Sequence, residues 1–212
     1  MKFSEEMLQL YAVTDRSWLG NQTLAQQVEE AIKGGATMIQ LREKELDDEA
    51  FVSQALALKE VCNRYHIPFI VNDRVELAIK IGADGVHVGQ EDMQAQNVRK
   101  LIGNSMILGV TAKTVEQAIA AEKAGADYLG SGAVFGSATK TNALPLSREK
   151  LHEICASVKI PVVAIGGICR DNVLKLKDTG ITGAAIVSGI FAAEDIEAEC
   201  KELKQRILSI IK

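Results

Sequence analysis

Short apolar runs rich in β-branched residues recur along the chain and predict eight β-strands. Between them lie stretches in which apolar residues return every three to four positions, the spacing of amphipathic helices. The strand runs are LYAVT from Leu10, ATMIQLR from Ala36, PFIVN from Pro68, GVHVG from Gly85, MILGV from Met106, YLGSGAV from Tyr128, PVVAIGG from Pro161 and GAAIVSG from Gly183. The helical stretches include LAQQVEEAIKGG, FVSQALALKEVCNRYH, NVRKLI, TVEQAIAAEKAG, REKLHEICASV, NVLKLKDTG and EDIEAECKELKQRILSII. Their strict alternation predicts an α/β protein with a parallel sheet.

A glycine phrase recurs where helical stretches run into strands. It occurs at 33–38, 81–86, 123–129 and 179–185, and it is typical of a helix C-cap glycine. Eight βα units form either a closed (βα)8 TIM barrel or an open doubly wound sheet. An open nucleotide-binding sheet would carry a Gly-rich turn after its first strand, but here TDRSWLGNQ follows that strand. We therefore expect a single (βα)8-barrel domain over residues 1–212.

Composition narrows the range of partners. The chain has 212 residues, of which 47% are hydrophobic and 25% charged, and its formal net charge is -4. This acidic balance argues against nucleic acid or an anionic membrane as a partner. The N-terminus lacks the basic flank and cleavage site of a signal peptide, and no apolar run is long enough to span a membrane. The four cysteines are widely separated, which argues against a zinc site or a disulfide framework and favours a reducing cytoplasm.

Polar residues at the end of the second strand are candidates for chemistry, because barrel active sites form at the carboxyl ends of the strands. Period-two alternation places Gln40, Arg42 and Lys44 on one side of this strand if it continues that far. Two cations and an amide would then point the same way. A solvated strand end leading into an acidic helix start is the alternative, and spacing alone does not separate the two.

Carboxylates follow the next two strands. Asn72 and Asp73 end the third strand run, and Asp92 follows the fourth. Side chains at matching ends of neighbouring parallel strands lie close enough to share one hard cation, for which Mg²⁺ is the natural candidate. Either aspartate could instead cap the helix that follows it.

The late strands carry features that suit phosphate. A long polar loop after the sixth strand contains Ser137, Thr139 and, at its centre, Lys140, and loops of this length are usually functional. The seventh strand ends at Gly166 and Gly167, and Val187 and Ser188 follow the eighth. Small residues at these strand ends let backbone N–H groups approach a ligand, and this region is the common phosphate site of barrel enzymes.

Together the motifs LYAVTD, GGATMIQLREK, IPFIVNDRVELA, GADGVHVGQEDM, ILGVTAKT, GADYLGSGAVF, TKT, IPVVAIGGI and AAIVSGIFAAED resemble the thiamine phosphate synthase family, in order, from about Leu10 to Asp195. QLREK, ND and GQED are the specific part of the match. The resemblance implies a Mg²⁺-dependent transferase that joins 4-amino-5-hydroxymethyl-2-methylpyrimidine diphosphate to 4-methyl-5-(2-phosphooxyethyl)thiazole. The products would be thiamine phosphate and diphosphate, formed by a dissociative displacement at the pyrimidine methylene.

The resemblance also implies roles for individual residues. Arg42, Lys44 and Lys140 would stabilise the charge that develops on the departing diphosphate. The pyrimidine diphosphate would bind at Gln40, Leu41, Arg42, Glu43, Lys44, Asn72, Thr111 and Lys140, the thiazole phosphate at Ser137, Ala138, Thr139, Gly167, Val187 and Ser188, and Mg²⁺ at Asp73 and Asp92.

Two rival functions stay open from the sequence. One is a thiazole tautomerase that shares the barrel and the thiazole-phosphate pocket, and the other is a non-catalytic protein that binds a phosphorylated ligand. The partners expected are small-molecule substrates, without nucleic acid or membrane, and a homo-oligomer is left open. We interpret His87, which lies inside the fourth strand run, as a hydrogen-bonded structural histidine rather than a catalytic base.

Overall fold

Eight short parallel strands close into a barrel in this computed structural model, which describes residues 2–90, 92–136 and 145–211. Neighbours in the barrel follow chain order, and the eighth strand pairs with the first, so the predicted closed (βα)8 TIM barrel is confirmed over the open sheet. The strands are β1 (Leu10–Val13), β2 (Met38–Leu41), β3 (Phe69–Asn72), β4 (Gly85–Val88), β5 (Ile107–Thr111), β6 (Tyr128–Gly132), β7 (Val162–Ile165) and β8 (Gly183–Ile186).

Helices surround the barrel, and five of the α-helices described begin at a side-chain cap. Thr23, Asp47, Thr114, Ser147 and Asp195 each accept a hydrogen bond from a backbone N–H of the first helical turn, which satisfies one of the donors that a helix start leaves unpaired. None of the helices described has both the length and the apolar character needed to cross a bilayer. The helices are α1 (Leu24–Lys33), α2 (Asp48–Arg64), α3 (Val75–Ile81), α4 (Ala95–Ile102), α5 (Val115–Lys123), α6 (Arg148–Ser157), α7 (Ser188–Phe191) and α8 (Ile196–Leu208), with short 3₁₀ helices at Glu5–Leu8, Arg16–Trp18 and Val173–Leu176.

The helix predicted for NVLKLKDTG, at 172–180, is one 3₁₀ turn over Val173–Leu176. The Asn172 side chain accepts from the Cys169 N–H at 2.9 Å and donates to the Gly167 carbonyl at 2.8 Å, which ties the start of this segment to the end of β7. The Thr179 hydroxyl donates to the Leu176 carbonyl and closes the turn. The apolar spacing here reflects two buried residues of a single turn, so the prediction of a regular helix was wrong.

The strands are buried on both faces, as expected for a parallel sheet with helices on its outside. Side chains alternate, so Leu10 and Ala12 of β1 pack outwards against the helices, while Tyr11 and Val13 fill the barrel interior. Tyr128 lies in the same interior cluster and is fully buried. The barrel is therefore filled near its middle, and a cavity can open only at its ends.

The end of the barrel at the strand starts is tied together by carboxylates from the recurring glycine phrase. Asp84 accepts from the Phe69 N–H at 2.9 Å, and Asp127 accepts from the Leu108 N–H at 2.7 Å, so each links its strand to a neighbour. The predicted C-cap glycine is confirmed at Gly82, which ends α3 in the left-handed conformation with φ 64°. These contacts stabilise the end of the barrel where the strands begin. The opposite end, where the strands finish, is the one at which barrel active sites form.

Candidate active site

One cavity of about 390 Å³ opens at the carboxyl ends of the strands. Its wall combines cations, carboxylates, amides and glycines contributed by all eight strands or the segments that follow them. Of the residues predicted for the site, those that line it are Gln40, Arg42, Lys44, Asn72, Asp73, Asp92, Thr111, Gly167, Val187 and Ser188. The fold thus places in one cavity residues that lie as far apart in sequence as Gln40 and Ser188, and the alternation and strand-end arguments had selected both.

The end of β2 delivers two cations to the cavity rim. Gln40, Arg42 and Lys44 all line the cavity, so the predicted alternation continues past the end of the strand. The Arg42 backbone N–H donates to the Thr14 hydroxyl at 3.2 Å, which holds this extension against the end of β1. The Lys44 ammonium lies 3.7 Å from the Asp73 carboxylate, with 57% of its side chain exposed. This lysine is free to follow a ligand, whereas Gln40 is buried and fixed.

Leu41 and Glu43 alternate with these residues and face away from the cavity. Leu41 is fully buried in the cluster between the strands and the helices. The Glu43 carboxylate lies 3.5 Å from the Arg16 guanidinium. Any contact that these two residues make with a ligand would therefore come from their backbone. The predicted residues Ser137, Ala138, Thr139 and Lys140 lie outside the described part of the chain.

Asp73 and Asp92 face one another across the ends of β3 and β4. The two carboxyl groups are within hydrogen-bonding reach, and burial together with the Asp92 carboxyl raises the pKa of Asp73 to about 6. Asp92 accepts the Gly89 N–H at 2.7 Å, and Asp73 adopts a left-handed φ of 62° directly after β3. Like charges this close repel one another, and a divalent cation between them would remove that cost.

The carboxylate pair suits a hard cation with an incomplete protein shell. Among the described residues, no cluster of three or more His, Cys, Asp or Glu side chains is arranged to hold a metal. Mg²⁺ commonly binds through one or two carboxylates and takes its remaining ligands from water and substrate phosphates. Asp73 and Asp92 fit that pattern and do not fit a fully enclosed protein cage.

A chain of side-chain hydrogen bonds crosses the floor of the cavity. The Gln40 amide donates to the Tyr11 hydroxyl at 2.6 Å, and the Tyr11 and Tyr128 hydroxyls are 2.8 Å apart. His87 completes the chain, with Nδ1 3.1 Å from the Tyr128 hydroxyl and Nε2 3.0 Å from the Thr111 hydroxyl. Removal from bulk water lowers the pKa of His87 to about 4, so the ring is neutral at pH 7. The interpretation of His87 as hydrogen-bonded is confirmed, although it also lines the cavity.

The ends of β7 and β8 give the cavity its glycine-rich side. Gly166 and Gly167 both have positive φ, 102° and 63°. A Cβ on Gly167 would lie 2.5 Å from the Phe135 carbonyl oxygen, so a side chain is excluded by contact as well as by conformation. Val187 and Ser188 also line the cavity, at the end of the neighbouring strand β8 where α7 begins. Glycine is therefore required at Gly167, and both glycines line the cavity where the sequence predicted a phosphate.

Sequence reasoning missed several residues that line the cavity. Lys113 and Gln117 follow β5, and the Lys113 backbone N–H donates to the Gln117 side chain at 2.8 Å. The signal for Lys113 was present, because it follows Thr111 by two residues, just as Lys44 follows Arg42. Tyr11 lies at the floor and carried no such signal, because an aromatic residue inside an apolar strand is ordinarily core.

The fold and this cavity define a TIM-barrel protein whose strand ends carry cations, glycines and a facing carboxylate pair around one cavity. Comparison with known proteins narrows the class. A sequence model described as "Thiamine monophosphate synthase" matches residues 10–190, and the chain belongs to that family of transferases.

Individual relatives agree over nearly the whole chain. "Thiamine-phosphate synthase" of Ruminiclostridium cellulolyticum is 50% identical over 194 residues, covering 92% of both chains. The protein of the same name from Clostridium beijerinckii is 49% identical over 201 residues, covering 95% of this chain and 96% of its own. Among solved structures, "Thiamine phosphate pyrophosphorylase" of Pyrococcus furiosus superposes with a TM-score of 0.90 at 38% identity, covering 98% of this chain and 99% of its own.

Proposed function

We propose that the chain couples 4-amino-5-hydroxymethyl-2-methylpyrimidine diphosphate with 4-methyl-5-(2-phosphooxyethyl)thiazole, giving thiamine phosphate and diphosphate. Membership of the family and the names of its relatives support this reaction. The observation that carries it is the composition of the cavity wall. Three cations, Arg42, Lys44 and Lys113, line the same cavity as the facing carboxylates Asp73 and Asp92. For a protein that only binds phosphate, a carboxylate pair beside the ligand would add repulsion.

The pyrimidine ring fits the floor and its diphosphate fits the rim. Gln40, Asn72 and Thr111 offer amides and a hydroxyl at the ends of β2, β3 and β5. Arg42 and Lys44 lie further out along the β2 extension, where a diphosphate attached to the ring methylene would reach. Arg42 can bind phosphate with a fork of donors, while Lys44 acts as a mobile point charge.

Asp73 and Asp92 would hold Mg²⁺ beside the diphosphate, where it would neutralise charge on the leaving group. The Lys44 ammonium lies 3.7 Å from the Asp73 carboxylate. This short distance supports a diphosphate that would contact both Lys44 and the metal held by Asp73. Burial and Asp92 raise the pKa of Asp73, and Lys44 opposes that rise and so favours the ionised form. The ionised carboxylate is the form that binds a hard cation.

The bond that breaks joins the pyrimidine methylene to the diphosphate oxygen, and its electron pair leaves with diphosphate. Arg42 and Lys44 stabilise that developing charge, which makes leaving-group stabilisation the main contribution of the protein. The sequence predicts the same role for Lys140. The thiazole nitrogen then captures the electron-poor methylene carbon, and no proton needs to be removed. Burial lowers the pKa of His87 to about 4, which makes this ring a weak base and is consistent with this route.

The thiazole phosphate fits the glycine-rich side. Gly167, Val187 and Ser188 provide backbone groups and one hydroxyl for its phosphate, while Val163, Ile165 and Ala185 supply apolar walls for the ring. Apolar walls also keep water from the methylene, where water would otherwise compete with the thiazole nitrogen.

A coupling assay tests the proposal. Purified protein with both substrates and Mg²⁺ should release diphosphate and form thiamine phosphate in equal amounts, and neither substrate alone should suffice. Lys44→Ala should lower this rate, while Lys80→Ala, which removes an exposed lysine of α3 away from the cavity, should not. Isomerisation of a thiazole phosphate without diphosphate release would instead support the tautomerase, and binding without any turnover would support a non-catalytic protein.

A further inference from the structure

The hydrogen-bond chain at the cavity floor, formed by Gln40, Tyr11, Tyr128, His87 and Thr111, joins five different strands. Gln40 and Thr111 stand at its ends, and both line the cavity. Tyr11 and Tyr128 are each about 1% exposed or less, so their hydroxyls depend on protein partners. We call this set the floor chain.

Counting protons gives the floor chain a direction. The Gln40 amide donates to the Tyr11 oxygen, so the Tyr11 proton is left for its other neighbour, the Tyr128 oxygen. Tyr128 has then accepted one bond, and its own proton goes to His87 Nδ1. If Nδ1 carried a proton as well, the Tyr128 proton would have no acceptor within the floor chain. His87 is therefore protonated at Nε2 and donates from there to the Thr111 oxygen.

The direction decides what each end offers to a ligand. Because the Thr111 oxygen already accepts from His87, the Thr111 proton is left to point into the cavity as a donor. Gln40 spends one amide N–H on Tyr11 and keeps its carbonyl oxygen as an acceptor beside its second N–H. The Gln40 oxygen and the Thr111 hydroxyl therefore have opposite polarity. A flat ring placed between them pairs with both when it presents a donor to the Gln40 oxygen and an acceptor to the Thr111 hydroxyl.

We propose that the floor chain is a one-way hydrogen-bond relay that selects an amino-substituted nitrogen heterocycle, with Tyr11, Tyr128 and His87 as positioning residues. This inference rests on the proposed function, whose pyrimidine carries an amino group as donor and ring nitrogens as acceptors. Tyr128 does not line the cavity, so its influence on the ligand passes through His87 and Tyr11. An analogue with a carbonyl in place of the amino group would meet the Gln40 oxygen with another acceptor and should bind poorly.

The histidine tautomer tests the direction without reference to activity. We would label the wild-type protein with ¹⁵N-histidine and read the ring nitrogens of His87 by NMR, after assigning the exposed His66 and His152 with glutamine variants. At neutral pH the relay requires a protonated Nε2 and a bare Nδ1. A ring protonated at Nδ1, or at both nitrogens, would overturn the proposal, even if the wild-type protein couples both substrates.

A kinetic experiment tests the positioning role. Tyr128→Phe removes the central hydroxyl and should raise the KM for the pyrimidine diphosphate by about fivefold to tenfold, with the KM for the thiazole phosphate unchanged. Tyr65→Phe is the matched control, because it deletes a hydroxyl that bonds Glu29 on the protein surface. Equal increases in both KM values, or none, would contradict the relay. If wild-type protein releases no diphosphate, the proposed function fails while the tautomer result still decides the direction.

Discussion

Replacing Asp92 by asparagine should stabilise the metal-free protein while it removes most of the activity. The Asp73 and Asp92 carboxyls lie within hydrogen-bonding reach of each other, and the Gly89 N–H fixes one oxygen of Asp92. In the variant, the new amide can keep its oxygen on Gly89 and turn its N–H₂ towards Asp73. A repulsive carboxylate pair then becomes a charge-assisted hydrogen bond.

The size of the effect follows from the pKa of Asp73, which burial and Asp92 raise from 3.8 to about 6. Between these values the unfolded chain has lost the Asp73 proton and the folded chain retains it, so stability falls as the pH rises through this window. The full difference corresponds to about 3 kcal/mol at pH 7. Burial is the largest cause of the shift, and the Asp73 carboxyl group keeps some contact with water. We therefore assign about 1 kcal/mol of the lost folding stability to repulsion from Asp92. A chain of this length should then melt about 2–4 °C higher.

Thermal unfolding at pH 7 measures this gain, first in EDTA and then with Mg²⁺. Asp171→Asn is the matched control, since it neutralises an exposed carboxylate that does not line the cavity. Mg²⁺ should raise the melting temperature of the wild type and of the control, but hardly that of Asp92→Asn, and turnover of this variant should fall about 100-fold or more. A less stable variant in EDTA, or an equal response to Mg²⁺, would refute the reasoning.

Three further predictions concern other parts of the molecule. Ser188→Ala should raise the KM for the thiazole phosphate more than that for the pyrimidine diphosphate in steady-state kinetics, and equal losses would contradict the division of the pocket. Lys140→Ala should slow bond cleavage in single-turnover experiments more than it weakens substrate binding, with only partial rescue by arginine; a wild-type cleavage rate would make Lys140 a binding residue only. Burial raises the pKa of Cys62 and of Cys200 to about 12, so neither thiol should react with iodoacetamide at pH 8 until the protein is unfolded, and rapid labelling of the native protein would count against the packing described.

The barrel could be predicted because each of its strands is a continuous run of mainly apolar residues in the sequence. A parallel strand buried on both faces leaves little choice of residue, so the runs at Leu10 and Phe69 stand out from the amphipathic helices around them. The segment after β7 was predicted less well. Its apolar spacing matches a helix, but side-chain bonds from Asn172 and Thr179 confine it to one turn, and such local bonds do not appear in a hydrophobic pattern.

The site was predictable where alternation applies and not where partners lie far apart. Gln40, Arg42 and Lys44 followed from a period of two along a single strand. The Tyr11 and Tyr128 hydroxyls meet across 117 residues of sequence, and their contact depends on the barrel having closed. Family resemblance pointed to the contiguous stretch from Gln40 to Lys44, and only the structure shows that its alternate side chains face away from the cavity.

The most direct test of the account is a rapid-quench single turnover with both substrates, run in Mg²⁺ and again in EDTA. Pyrimidine diphosphate loss and thiamine phosphate formation should proceed at the same rate in Mg²⁺ and should both be strongly slowed in EDTA, because the carboxylate pair and the rim cations act on one leaving group. Thiamine phosphate formed as fast in EDTA as in Mg²⁺ would contradict the account, and so would tight binding of both substrates without any product.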